Sequence, residues 1–504
     1  MLATAFSASI VGVDGVPVRV EVDVSFGLPG LTIVGLAGSA VLEARERVRA
    51  AIRNTGLIVP SRRITVNLAP ADLPKEGTGH DLAIAIGLLV ASDQVSASSL
   101  ERMTLIGELA LDGTLRPVPG VMALVAASAD AGRHEVIVPI ENGPAAAAIS
   151  GMTVLVARSL SEVVQHLAGR ETLPTATRPV HDAGSAEGSA DDGLDLAGVV
   201  GQLVARRALE IAATGRHNLA LTGPPGVGKT MLARATAGLL PPLLEAEATE
   251  VSRIHSVAGI ADPLAPYSAR PPFRAPHHTV SVQALVGGGP RLRPGEASLA
   301  HRGVLLLDET LQFRTDALDA LRGPLDIGAV TIARVGGVVA LPARFMLVAT
   351  YNPCPCGWFG IRSRACSCED GPRRRYQARL SGPMRDRLDI VVPLEPVALG
   401  TLRRQAEPSV TVAARVEKAW QRQLERQGSA NAALPAAMLD EQHGFGPQVR
   451  GLLESRGHRL GLSYRRLHRA ARVARTIADL DNSATVRREH LDEALQHRPR
   501  ELAA

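Results

Sequence analysis

The sequence predicts an α/β protein whose central part is a parallel sheet wrapped by helices, preceded by a second α/β domain and followed by a helical one. Three observations carry this. At 218–240 an apolar strand pattern, a Gly-rich octet and a helical pattern follow one another directly. At 304–309 four apolar residues run straight into two carboxylates, the pattern of a buried central strand. Residues 1–170 alternate strand and helix periods, whereas residues 401–504 keep helical spacing throughout.

The amino-terminal part, 1–170, reads as a domain of its own. Pro17–Val24 and Arg63–Asn67 alternate at period two, and Ser39–Asn54 and Asp81–Ala91 have the apolar spacing of helices. Residues 171–193 are small and polar without periodicity, which predicts a linker. A second domain is expected over 194–400, opening at Leu194 and continuing through Val200, Gly201 and Gln202 to the octet.

The octet is Gly223-Pro224-Pro225-Gly226-Val227-Gly228-Lys229-Thr230. Asn218–Thr222 before it predicts a strand, and Met231–Leu240 after it predicts a helix stopped by Pro241 and Pro242. Strand, Gly-rich loop and helix together make a phosphate cradle. The glycines let backbone N–H groups close on a polyphosphate, Lys229 reaches the terminal phosphates, and the Thr230 hydroxyl joins a magnesium shell. The chain has 55 Lys plus Arg but only three lysines, Lys75, Lys229 and Lys418. One of the three therefore stands where a compact ammonium suits a phosphate better than a planar guanidinium.

Val304–Leu307 followed by Asp308 and Glu309, about 80 residues after the octet, supplies the acidic half of such a site. Asp308 is the candidate to hold magnesium and Glu309 to polarise the attacking water. A further strand, Arg344–Thr350, leads to Asn352, placed to orient that water. All four cysteines then fall in one short stretch, Cys354, Cys356, Cys366 and Cys368, with nine residues between the two pairs. Four thiolates at this spacing suit zinc; four reduced thiols in a loop is the other reading. Arg373-Arg374-Arg375 just beyond is a candidate basic tip or a solvated edge.

Composition narrows the partners. Aromatic residues make up 3% of the chain, which argues against stacked bases as a main binding mode. The net charge of +5 is uneven: residues 361–504 hold 26 Lys plus Arg against 17 Asp plus Glu. That excess permits a polyanionic partner and equally suits solvated helices. The start of the chain lacks a signal-peptide pattern and no run of 18 apolar residues occurs, so the expectation is a cytoplasmic protein without a membrane segment.

Two resemblances add to this reading. Leu73–Ile86, Ile106–Val118 and Glu135–Asn142 resemble, in order and wording, the protease domain of Lon, which implies a ribosomal S5 domain 2-like fold for 1–170. Gly79 and Met122 stand where that pattern has its catalytic serine and lysine, so a binding or assembly role is expected there rather than proteolysis. The rest resembles the magnesium-chelatase-like AAA+ ATPases typified by the competence protein ComM, also called the YifB family. The matching phrases are the octet, Ile254–Gly259, Pro272–His278, Ala284–Gly289, Arg293–His301, Asn352–Gly357, Leu380–Asp389 and Gly461–Leu467.

This second resemblance implies an AAA+ core over 194–400 with a helical lid over 401–504, using ATP and magnesium in a homo-hexameric ring that moves DNA, single-stranded or branched. It implies that Arg387 reaches a neighbour's ATP site, that Arg465 is the second sensor on the lid, and that Val200–Gln202 borders the adenine. It places Phe273 and Arg274 on an insert that, with the hairpin Val330–Val339 carrying Arg334, faces the pore. The chain departs from the pattern at Gln312 and Gly323, where the family usually has Glu. Two alternatives stay open: a chelatase-like ATPase remodelling a protein partner, and a scaffold that uses ATP as a switch. Retention of Glu309 argues against the switch.

Overall fold

The structure is a computed structural model and describes residues 1–98, 100–178, 194–261, 268–289, 292–334, 337–361, 364–397 and 406–497. Its first part builds a four-stranded sheet in the order Leu2–Val11, Asp14–Ser25, Arg63–Ala69, Gly30–Val34. The first three strands run antiparallel and the last pair parallel. Alternation decides which face is buried: Val18, Val20, Val22 and Val24 all point into one core. Against that face lies the helix Asp81–Ala91, buried at every residue. Its single carboxylate, Asp81, is satisfied by two hydrogen bonds from Arg47 at 2.7 and 3.0 Å, as a buried charge requires. A second, parallel sheet of Met103–Leu105, Glu135–Pro139 and Thr153–Ala157 completes this part.

The predicted linker needs correcting at its start. Ala176 donates to the carbonyl of Val154 and Pro174 accepts from Val156, so residues 174–176 extend the second sheet, with Leu173 before them buried in the amino-terminal core. One apolar side chain among small polar ones was enough to hold the segment. Residues 179–193 of the linker lie outside the described residues.

The central sheet has five parallel strands in the order Phe273–Arg274, Val304–Leu307, Met346–Tyr351, Leu219–Thr222, Ile390–Pro393. The strand leading to the octet therefore lies between the strand that ends at Asn352 and a later one, and the carboxyl ends of three strands converge beside the Gly-rich loop. The helix after the loop starts at Lys229, two residues earlier than its apolar pattern suggested. It runs to Ala235, and its last turn tightens into a 3₁₀ helix at Thr236–Leu239 ahead of the two prolines.

The two parts touch along the helix Glu245–Ala258, which packs on Val121–Asp130. Gly120 donates to the carbonyl of Ser256 at 3.0 Å and Arg253 pairs with Asp14 at 3.1 Å. Val13, at the tip of the first hairpin, is buried in the apolar cluster of the central domain.

The carboxy-terminal helices Ser409–Gln427, Pro447–Arg459, Tyr464–Leu480 and Arg488–Gln496 share an apolar core with the sheet, with Val412, Val416 and Ile477 beside Leu209 and Leu219. Buried within it, Asp479 accepts hydrogen bonds from Arg475 at 2.9 Å, Arg426 at 2.7 and 2.9 Å, and Asn431 at 2.8 Å. Removing this acceptor leaves a fully buried guanidinium uncompensated. Asp479→Ala is expected to lower the stability of the lid by about 3–5 kcal/mol, read as an earlier urea transition; an unchanged midpoint would remove this network from the account. Among the described residues no helix is long and apolar enough to cross a membrane.

Candidate active site

The Gly-rich loop takes its shape from two glycines held at positive φ, Gly226 at 80° and Gly228 at 88°. Space is open around both, so the backbone angle and not crowding is what demands glycine there. Lys229, the first helical residue, turns back over the loop. Its ammonium donates to the carbonyls of Gly223 at 2.9 Å and Pro224 at 2.8 Å, and to Oδ1 of Asn352 at 2.9 Å. Partial burial lowers its pKa from the usual lysine value, while Asp308 and Glu309 pull the other way. The charge is thus confined to the place where a polyphosphate would bring its own negative charge.

The next residue, Thr230, donates to both oxygens of Asp308, at 3.0 and 3.1 Å. The Thr350 hydroxyl donates to Asp308 as well and accepts from the backbone N–H of Glu309 at 3.1 Å. A hydroxyl beside a carboxylate that ends a central strand is the donor set that a hard, oxygen-seeking cation such as magnesium takes up. Glu309 has left-handed backbone, φ 52° and ψ 46°, which costs a residue with a Cβ on the order of 1–2 kcal/mol. That strain sits on the residue read as the water-polarising carboxylate, and it turns the chain out of the strand into the 3₁₀ turn Thr310–Gln312. Lys229, Thr230, Asp308, Glu309 and Asn352 line one cleft with Pro225, Gly226 and Gly228.

Five more residues line the cleft that the motifs do not assign to it: Met231, Gln312, Thr350, Tyr351 and Tyr376. Thr350 was findable, because the strand pattern that delivers Asn352 delivers its neighbour too. Gln312 had been marked only as a departure from the family pattern. Tyr376 arrives from the helix Asp370–Ala378, beyond the cysteine loop, and has no signal in sequence. Gln202 reaches the loop from the other side, donating to the carbonyl of Glu395 at 2.8 Å and of Val227 at 3.4 Å. Gly201 next to it is at φ 78°, packed where a Cβ would meet Val397 at 2.9 Å.

Other predicted residues lie elsewhere. Arg387 is buried, donates to the carbonyl of Pro383 at 2.7 Å and is paired with Asp326. Arg465, in the first turn of the exposed end of Tyr464–Leu480, approaches the same Asp326 at 3.9 Å. Both arginines therefore gather around one carboxylate and neither lines the cleft of its own chain. Phe273 and Arg274 are not on a projecting insert: they form the edge strand of the central sheet, where Arg274 pairs with Glu296 at 2.7 Å. The two residues Phe273 and Arg274 are enough to add a strand beside Val304–Leu307, and that pairing outweighs the family-based placement. The rest of the stretch expected as an insert, up to Gly289, holds the short helix Val282–Val286 and the strand Gly287–Gly288, which pairs with Arg293–Pro294. The hairpin is present as Ala329–Arg334 paired with Gly337–Pro342; its turn, residues 335–336, and the Arg334 side chain lie outside the described residues.

In the amino-terminal part, Met122 and Lys75 are buried, and a Cβ at Gly79 would meet Val118, Ile106 and Leu124. The Lys75 ammonium is used up on the carbonyl of Pro70. These positions are core, not a nucleophile beside a base.

The four cysteine sulfurs lie within 4.8 Å of one another, with Cys354 to Cys356 at 3.3 Å, Cys354 to Cys366 at 3.6 Å and Cys356 to Cys366 at 3.5 Å. A disulfide needs about 2 Å, whereas a zinc ion bound at about 2.3 Å by four thiolates sets its ligands about 3.8 Å apart. Backbone N–H groups of Cys356, Phe359 and Cys368 point at the sulfurs of Cys368, Cys354 and Cys366 at 3.3–3.4 Å. The donor set fits a thiophilic divalent ion.

A five-stranded parallel sheet in this order, a Gly-rich loop with its Lys and Thr, a carboxylate pair one strand away, a polar residue between them and a helical lid together define a P-loop NTPase of the AAA+ class. The comparisons narrow it. Residues 195–402 match the family "Magnesium chelatase, subunit ChlI", residues 20–142 match "Subunit ChlI of Mg-chelatase", and residues 406–498 match "Magnesium chelatase, subunit ChlI C-terminal". The chain is 43% identical over 503 residues to competence protein ComM of Haemophilus influenzae, covering 99% of this chain and 97% of that one. It is 44% identical over 501 residues to the uncharacterized protein YifB of Salmonella typhimurium, with the same coverage. A segment of 137 residues is 28% identical to Lon protease 2 of Bacillus subtilis, covering 27% of this chain and 24% of that protein. The chain belongs to the ComM/YifB family of magnesium-chelatase-like AAA+ proteins, with a Lon-like front and a helical lid.

Proposed function

We propose that this protein is an ATP-hydrolysing ring motor that remodels DNA, of the helicase or branch-migration kind, working in the cytoplasm in recombination or the uptake of DNA. The observation that carries the hydrolytic part is the single cleft in which Lys229, Thr230, Asp308, Glu309 and Asn352 meet. In that cleft Lys229 would give up its loop carbonyls for phosphate oxygens, Thr230 and Asp308 would hold a magnesium ion that offsets phosphate charge, and Glu309 would polarise a water that Asn352 orients. The DNA part is supported by 43% identity over nearly the full length to a competence protein, by the basic carboxy-terminal third and by the hairpin whose first strand ends at Arg334. Six copies in a ring would bring Arg387 of one subunit to the cleft of the next, with Arg465 as the second sensor arginine on the lid. The four cysteines would hold zinc.

A motor moving along changing sequence cannot depend on base edges, so its grip should be phosphate neutralisation by Arg and backbone donors. ATPase stimulation by single-stranded, duplex and four-way DNA tests this directly. Stimulation that falls steeply with salt, with a slope of about −0.9 per phosphate contact on duplex, is the expected result. Arg334→Ala should keep nucleotide binding and assembly yet lose the stimulation. No response to any DNA would leave the protein-remodelling reading in its place, and a full response from Arg334→Ala would take the hairpin out of the mechanism.

A further inference from the structure

The cysteine knuckle is in contact with the nucleotide cleft at two points. The sensor strand ends at Tyr351; Asn352, whose amide oxygen accepts from Lys229, is followed at once by Pro353 and the buried Cys354. The chain then turns at Gly357, held at φ 84° and bonded to the Cys354 carbonyl at 2.9 Å. There it lies flat on the phosphate loop: a Cβ at Gly357 would stand 2.5 Å from Cδ of Pro225. On the far side the knuckle is tied to the helix that supplies Tyr376, through Gln377 donating to the Pro353 carbonyl at 2.8 Å and Arg373 lying over the Phe359 ring at 4.1 Å.

We propose that a thiophilic divalent cation, zinc, bound by Cys354, Cys356, Cys366 and Cys368 is a prop for the nucleotide site, which holds Pro225 under the phosphates and Asn352 at the water. This rests on the reading of the cleft as an ATP site. The physical reason is local. A loop with several glycines has little stiffness of its own, and four sulfurs gathered within 4.8 Å but not joined by a disulfide have no bond to hold them there until a cation joins them. With the cation in place the turn at Gly357 becomes a rigid wall against Pro225, and the strand end carrying Asn352 is anchored two residues downstream. Pro225 and the cysteines act as positioning residues; none of them touches the reacting atoms.

The test uses full-length protein purified without chelator, with metal content measured per chain, affinity measured with a fluorescent ATP analogue, and steady-state ATP hydrolysis. The wild type should carry about one zinc per chain. Cys366→Ser with Cys368→Ser should lose the metal, keep its helical circular dichroism, weaken nucleotide affinity by about tenfold and lower kcat, in the range found for groups that orient a site from behind. Gly357→Ala leaves all four thiolates and should keep the metal, yet the clash with Pro225 should raise KM for ATP by about tenfold with a smaller effect on kcat. Lys229→Ala, which should keep the metal and bind no nucleotide, separates the two ideas. Wild-type protein free of metal, or metal-loaded Gly357→Ala with unchanged KM, would overturn the prop. Metal-loaded wild type that binds no nucleotide would instead sink the ATP-site reading on which it stands. Should the double serine variant fail to fold, Gly357→Ala alone decides.

Discussion

Lys229→Ala is expected to abolish ATP binding, whereas Glu309→Gln is expected to bind ATP as the wild type does and to lose turnover by about 10²–10⁴-fold. The structure separates the two roles. The Lys229 ammonium is the cation inside the loop, already bonded to three oxygens at 2.8–2.9 Å that a polyphosphate would replace, so its charge acts on the ground state. Glu309 is set apart by its left-handed backbone and is held through its N–H to Thr350, which leaves the carboxylate to act on water. Removing an interaction used in both ground and transition states raises KM, and removing one used only in the transition state lowers kcat. Equilibrium binding of a fluorescent ATP analogue, set beside phosphate release, distinguishes them. Equal loss of binding in both variants would overturn the assignment.

Arg387→Ala should cut turnover by about 10³-fold while sparing nucleotide affinity, the range found for arginines that reach across to a transferring phosphoryl group. Within its own chain Arg387 is not among the residues that line the cleft and is paired with Asp326, with Arg465 close to the same carboxylate. Its charge is therefore kept, desolvated and paired, until a stronger anion is offered by a neighbour. Mixing Arg387→Ala with Lys229→Ala protein should restore part of the activity, since each variant supplies what the other lacks. Asp326→Asn should leave nucleotide binding intact and release Arg387 from its partner. No recovery in a verified mixed ring would remove the shared site.

Much of the site was legible because its chemistry is local in sequence. The octet, the apolar strand ending in Asp308 and Glu309, and the strand leading to Asn352 each announce themselves by a short pattern whose backbone consequence is fixed by glycine freedom, by the lysine at a helix start, or by four buried residues in a row. Helices Ser39–Asn54 and Asp81–Ala91 were legible to the residue for the same reason, since an apolar period either continues or stops. The stretch after Leu173 was not: one apolar residue among polar ones carries no period, and only the edge of Thr153–Ala157 decided that Pro174 and Ala176 would pair. Phe273 and Arg274 were misplaced for the converse reason, because a strand of two residues is defined by its neighbour and not by its own pattern.

By itself, then, the amino-acid sequence determined that this is a P-loop protein with a helical lid, which side chains are available to hold phosphate, magnesium and water, and that four cysteines are close enough along the chain to share one ion. Those are properties of residue type and short spacing. Only the tertiary structure decided that Tyr376 and Gln312 border the cleft, that Asp326 gathers Arg387 and Arg465, that Val13 is seated in the central domain's core, and that Gly357 rests on Pro225. Each of these joins residues tens to hundreds of positions apart. No local pattern encodes such a meeting; it follows from the order of strands in a sheet and from the close packing of side chains that the order brings together.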